Sequence, residues 1–470
     1  MTEMNKIPAH GSNVERAQIP ASCKWHVQDI YADEAAWQAA CAEYKALLPK
    51  LTALKGQLTT AAKLLEALRV QDELAKFLDK IYAYARLQQD ADNTDQHMQA
   101  LSGEAEGLAA QFSNALSFVE PEILALGKEK VEAMLDEEPQ LAEYRFYIEN
   151  MLRLEAHVLS ADKEAIAAQS RLATGTGASA FRALVSADMQ FPEITDGEGK
   201  PATVSEGNYL LNMTSPDREL RKNSFCGLMG TYHKYRNTLA ATLTGSARSA
   251  YFYASIHNYK DTLEAALAED NIPTSLYDGL IATVHDNFAP LHEYIQLKKD
   301  VLGVDEFHYY DMYMPLSQAG DSFACTFPEA CARVEEALAP LGEEYVATLH
   351  KGLTEGWIDV YENKGKRSGA YSWGVYGVHP FVLLNYQQRY NSISTLAHEM
   401  GHALHSFFSS QAQTYINSDY TIFCAEVAST TNENLMLEYT LQHATDEQKI
   451  YLLNQYLEAV RTTVYRQVQF

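Results

Sequence analysis

The chain has 470 residues, 47% of them hydrophobic, with 62 acidic against 37 basic side chains and a net charge of −25. This length exceeds the size at which one core stops growing, so two or more lobes are expected, and the acidic balance argues against nucleic acid or an anionic membrane as partner. Six cysteines with neither paired metal spacing nor a dense framework exclude a disulfide scaffold and read as reduced thiols. No run of about 18 apolar residues occurs. Met1–Ser22 lacks the apolar core of a secretion signal, so the expected compartment is the cytoplasm.

In chain order, Asp33 is placed to cap a helix carrying Trp37, Cys41, Tyr44, Leu47 and Leu48 on one side. Amphipathic helical stretches follow near 60–90, 95–118, 139–157 and 161–171. The Gly175-Thr176-Gly177 turn and the segment Phe191–Pro201 break that rhythm, giving an N-terminal helical domain over 1–190 and a second domain over 191–470. Asp196-Gly197 predicts a small hairpin. Helices return from about 203 to 355; Ser215 is expected to cap one of them with Pro216 in its first position. His308, Tyr309, Tyr310 and Tyr313 form an aromatic cluster best explained by packing. A β region comes next, with strands over Trp357–Tyr361, Ala370–Trp373 and Phe381–Tyr386 expected to form a small antiparallel sheet. An edge strand there would pair with an extended peptide through main-chain hydrogen bonds.

That sheet leads into Thr395-Leu-Ala-His-Glu-Met-Gly-His-Ala403. Residues four apart stack on one helical face, so His398 and His402 can share one Zn²⁺, with Glu399 beside them to work on a water. The apolar positions Ile393, Leu396, Ala397, Met400, Leu404, Phe407 and Phe408 form a stripe opposite to His398, His402 and His405. The histidines therefore face away from the core. Gly401 inside this helix needs a reason, and close approach of a second backbone or of substrate is one.

Zinc requires a third protein ligand. A glutamate at 421 would mark the thermolysin and aminopeptidase arrangement, but Thr421 stands there; glycine at 405 and histidine at 408 would mark a metzincin, but these are His405 and Phe408. The helix expected over Thr421–Leu441 offers Glu426, which shares a stripe with Thr430 and Glu433 opposite the mostly apolar Cys424, Ala428, Thr431, Leu435 and Tyr439. Glu426 is the third ligand on this reading. Glu433, two turns further, is a supporting or surface group, and His405 lines the cleft or supports a ligand, because a catalytic zinc keeps one position open. His379 and Tyr371 are further cleft candidates.

The segments Gly365–Tyr371, Pro380–Tyr386, Thr395–Ala403 and Phe423–Ser429, together with Lys24-Trp25, Asn271-Ile-Pro273 and Tyr310-Asp311, resemble oligoendopeptidase F, of the thimet oligopeptidase superfamily. The resemblance runs nearly end to end. It implies a mainly α, two-lobed zincin-type metallopeptidase binding one zinc per chain on His398, His402 and Glu426. It also implies Glu399 as general base, and short unstructured oligopeptides as substrates cut in a channel between helical lobes. In that family a tyrosine and a histidine beyond the glutamate ligand polarise the scissile carbonyl and grip the substrate. The apolar helical rhythm from Leu452 to Val468 runs to Phe470 without a stop signal, so the chain is expected to lack that segment and to cleave weakly by itself. The alternative is a non-catalytic zinc- or peptide-binding protein. Against it stands the retained Glu399, which a pure binder does not need. Oligomeric state has no signature in the sequence.

Overall fold

The computed structural model describes residues 14–317 and 319–470, so most of the polar start read over Met1–Ser22 lies outside the described residues. The fold is mainly helical with two small sheets. Contacts divide it into two compact units, Met1–Glu155 with Gly320–Ala444, and Ala156–Ala319 with Thr445–Phe470. Among the described residues no helix is long and apolar enough to cross a membrane, and all six cysteines are free thiols.

In the first unit, helices Glu34–Thr52, Ala61–Ala91 and Gln96–Leu116 form a bundle. Each begins on a side-chain cap that satisfies an otherwise orphaned N–H: Asp33 on Ala36, Thr60 on Lys63, and Asp95 on His97 and Met98. Trp37, Tyr44, Leu64, Leu68, Ile81 and Leu108 fill its core, and the Trp37 indole donates to the Ile81 carbonyl at 2.9 Å. A second core, built from Phe327, Val334, Leu349, Trp357, Val382, Ile393, Leu396 and Met400, backs the sheet and the helix bearing the histidines.

The sheet runs Ile358–Asp359, Phe381–Leu383, Tyr371–Trp373. Its Tyr371–Trp373 pairing is antiparallel as expected, but Ile358–Asp359 lies parallel to Phe381–Leu383. The sheet is thus mixed, with Tyr371–Trp373 as an outer strand. Alternating or continuous apolar residues mark a strand but carry no direction, and here the chain between 359 and 381 is long enough to cross over.

Lys366 ties this sheet together from inside. Its ammonium is fully buried, 2.7 Å from Asp359 Oδ1, and donates to the carbonyls of Asp359, Tyr361 and Leu384. Arg16 also pairs with Asp359, which is itself fully buried, and the two cations hold that carboxyl below its ordinary value against desolvation. Asp359→Ala would leave Lys366 charged and unpaired, with an expected loss of about 3–5 kcal/mol. Urea midpoints of the two proteins measure it; a shift within error would contradict this account of the sheet.

In the second unit, strands Glu193–Thr195 and Pro201–Thr203 form the hairpin expected around Asp196-Gly197. Helix Arg218–Lys234 is capped by Asp217, whose carboxylate accepts from Glu219 and Leu220, and not by Ser215; Ser215 Oγ instead takes the Asp217 N–H. Two candidate caps two residues apart compete, and the carboxylate nearer the helix wins. Arg218 and Arg221 from that helix pair with the buried Asp311, which sits inside the aromatic cluster with Tyr310 stacked on His308.

Candidate metal centre

Helix Tyr390–Ala412 turns Ile393, Leu396, Ala397, Met400, Ala403 and Leu404 into the core, as its apolar stripe requires. His398 and His402 lie on the other side, with side chains 25% and 17% exposed. Glu399 sits between the two faces and is 6% exposed.

A second helix, Ile422–His443, packs along the first. Its buried face is Ser429, Asn432 and Met436. The expected stripe of Cys424, Ala428, Thr431, Leu435 and Tyr439 supplies only flanking contacts, and Cys424 is exposed. The reason is at Gly401. A Cβ there would lie 2.7 Å from Ser429 Cα and 3.0 Å from the Ala428 oxygen. The helices meet backbone to backbone, so a small and a polar residue occupy the contact that a hydrophobic pattern assigns to larger side chains. Asn432 donates to the Ala397 carbonyl at 3.0 Å and accepts from Tyr345, locking the register between the helices. Ser429 donates to Glu426 Oε2 at 2.7 Å, holding that carboxylate in place.

The result brings three ligand types together. His398 Nε2 and His402 Nε2 are 3.1 Å apart, and Glu426 Oε2 is 3.5 and 3.6 Å from them. In a tetrahedral zinc site with metal–donor distances of about 2.0–2.1 Å, donors stand about 3.3–3.4 Å from one another. Two imidazoles and one carboxylate at these separations fit Zn²⁺ by chemistry and by spacing, and among the described residues this is the group of three that could hold a metal ion.

The surrounding electrostatics favour a cation. Desolvation pulls both imidazoles towards neutrality; at His398 the neighbouring Glu433 carboxylate outweighs it, while His402 is held below its ordinary value by burial and by His398. Glu399 is pushed up to about 7 by burial and by the carboxylates of Glu426 and Glu433, against the opposing pull of His398. A dication beside it would draw it down again.

Glu433 Oε1 stands 3.4 Å from His398 Nδ1, the nitrogen that does not face the other ligands. His405 is not one of the three grouped donors: its ring stacks on Tyr420 at 3.8 Å, and its charge acts on His402. His379 stacks on Trp357 and contacts Asp29 and the Pro380 carbonyl, none of them part of this group. Tyr371 spends its hydroxyl on Asp90 at 2.9 Å. Ser429 and Asn432 went unread in the sequence, although a serine three residues after a candidate carboxylate ligand is within helical reach of it.

A model of peptidase family M3 matches residues 211–470, and one described as oligopeptidase F matches residues 122–191. Oligopeptidase PepF of Bacillus subtilis strain 168 is 40% identical over 97% of this chain and 68% of its own length. Group B oligopeptidase PepB of Streptococcus agalactiae is 37% identical over 97% of this chain and 76% of its own. Among solved structures, oligoendopeptidase-F of Enterococcus faecium superposes with a TM-score of 0.66 at 33% identity, over 93% of this chain and 73% of that one. A crystal structure from Chlamydophila abortus superposes with a TM-score of 0.87 at 37% identity, over 97% and 77%.

Proposed function

The chain belongs to peptidase family M3, and from that membership we propose that it is a zinc endopeptidase of short, unstructured oligopeptides, working in the cytoplasm. The observation that carries the zinc assignment is the triangle of His398, His402 and Glu426 donors, all within 4.8 Å, with Glu399 one residue from the first histidine.

His398, His402 and Glu426 would hold one Zn²⁺, which when bound would supply the Lewis acidity that acidifies a water and polarises a carbonyl. Glu399, largely buried and next to His398 in the chain, is placed to take a proton from the attacking water and return it to the departing amine. Glu433 fixes the ring of His398 through Nδ1, and Ser429 fixes Glu426, so the ligands do not have to be ordered by the metal. The outer strand Tyr371–Trp373 offers main-chain groups to an extended peptide, which gives binding with little dependence on side chains.

Digestion of a mixed oligopeptide library by this chain, with and without a zinc chelator, tests this reading. Internal cleavage that disappears on chelation and returns with zinc is expected. Cleavage that persists without metal would overturn the zinc assignment, and zinc binding without cleavage would favour a binding protein.

A further inference from the structure

Beside the metal-centre helix, the first unit holds a cavity of 510 Å³, within the ordinary size of ligand pockets, about 300–1,000 Å³. Its walls include the rings of Trp373, Tyr415 and Tyr420, the carboxylates of Asp79 and Asp419, and Ser406 of the helix itself. Among the described residues that line it there is no lysine or arginine. Lys76 sits over the rings of Tyr376 and Tyr415 without lining the cavity.

Several independent features point to a cationic guest. Asp79 accepts from the Tyr415 hydroxyl at 2.7 Å, which fixes a carboxylate and a ring together. Desolvation and the like charge of Asp419 raise the Asp79 carboxyl above its ordinary value, against the lowering effect of the Tyr415 hydroxyl. Aromatic faces attract ammonium and guanidinium groups, and the apolar stems of such side chains suit the same walls. Ser372 Oγ, on the outer strand and on the cavity wall, is buried without a hydrogen-bond partner among the described residues.

The position ties this cavity to the reaction. Ser406 follows His402 by one helical turn on the same side of Tyr390–Ala412, a rise of about 6 Å. An extended peptide covers that span in about two residues, at about 3.3 Å each. The outer strand reaches the cavity at Ser372 and Trp373, so a peptide laid along it carries its side chains there.

We propose that this cavity is a specificity subsite for a lysine or arginine side chain of the peptide, about two residues from the bond that is cut. The proposal rests on the peptidase reading above, and its test separates the two. Internally quenched peptides identical except for arginine or leucine at one position, moved stepwise through four residues on either side of the scissile bond, are assayed for kcat/KM. Arginine is expected to exceed leucine by about tenfold or more at one position, and raised salt is expected to shrink that ratio. Asp419→Asn and, separately, Asp79→Asn are expected to bring the ratio towards one. A ratio near one at every position, or one unchanged in both variants, would overturn the subsite. The same peptides, labelled, are titrated by fluorescence anisotropy into the Glu399→Gln protein. If no peptide is cleaved but arginine still binds about tenfold tighter and loses that advantage in Asp419→Asn, the hydrolytic reading falls and the subsite stands. If cleavage is normal but binding is indifferent to arginine, the subsite falls and the hydrolytic reading stands.

Discussion

Glu399→Gln is expected to keep one zinc per chain and to lose about 10²–10⁴-fold in kcat, the usual contribution of a positioned general base. The substitution preserves shape and removes only the ability to hold a proton. Because Glu399 carries no ligand atom of the metal group, the three donors that would hold the ion all remain in the variant. His398→Ala should differ in kind: it deletes a ligand, so metal content and turnover fall together. Elemental analysis alongside hydrolysis of a quenched peptide separates the two. A Glu399→Gln protein that cuts at the parental rate would remove the general-base assignment.

Gly401→Ala is expected to be the most damaging conservative change outside the ligands. In an exposed helix the exchange gains about 1 kcal/mol. Here the new methyl would sit 2.7 Å from Ser429 Cα, against backbone that no rotamer change can move. Overpacking of this kind costs about 1–3 kcal/mol. The displaced segment is also the one whose Ser429 holds Glu426, so the carboxylate shifts away from the histidines. A misplacement of about 1 Å at a reacting group can cost about 10²-fold in rate, and a loss of that order in kcat, with weakened zinc binding, is predicted. Gly103→Ala is the control: that glycine lies in helix Gln96–Leu116 with nothing within 4 Å of its would-be Cβ, and its replacement should stabilise the protein slightly. Equal and small effects at both positions would mean that the close helix contact does not position Glu426.

The contrast between these glycines marks how far the sequence could be read. A glycine inside the helix of His398 and His402 announces a close approach, but not to what, since Ser429 lies 28 positions away and its backbone leaves no pattern. The histidine pair and its opposition to the apolar stripe were legible, because each depends on spacing within one helix; Glu426, on a second helix, was reached by eliminating other ligand positions and by the family resemblance. The Asp33 cap was legible too, a local exchange between neighbours. What escaped depends on pairs distant in the chain. Asp359 with Lys366 and Arg16 looks in sequence like ordinary surface charge, and only the crossover of the sheet buries it. The parallel pairing of Ile358–Asp359 was hidden for the same reason. His379, a cleft candidate from its place just before Pro380, is held by Trp357 and Asp29, contacts made across 22 and 350 positions.

The central claim is that one zinc on His398, His402 and Glu426 makes this chain a peptidase. Metal-free protein titrated with zinc, while hydrolysis of an internally quenched oligopeptide is followed, tests it most directly. Activity should rise in proportion to added metal and level off at one equivalent per chain. Activity that is independent of zinc, or that saturates at another stoichiometry, would contradict it.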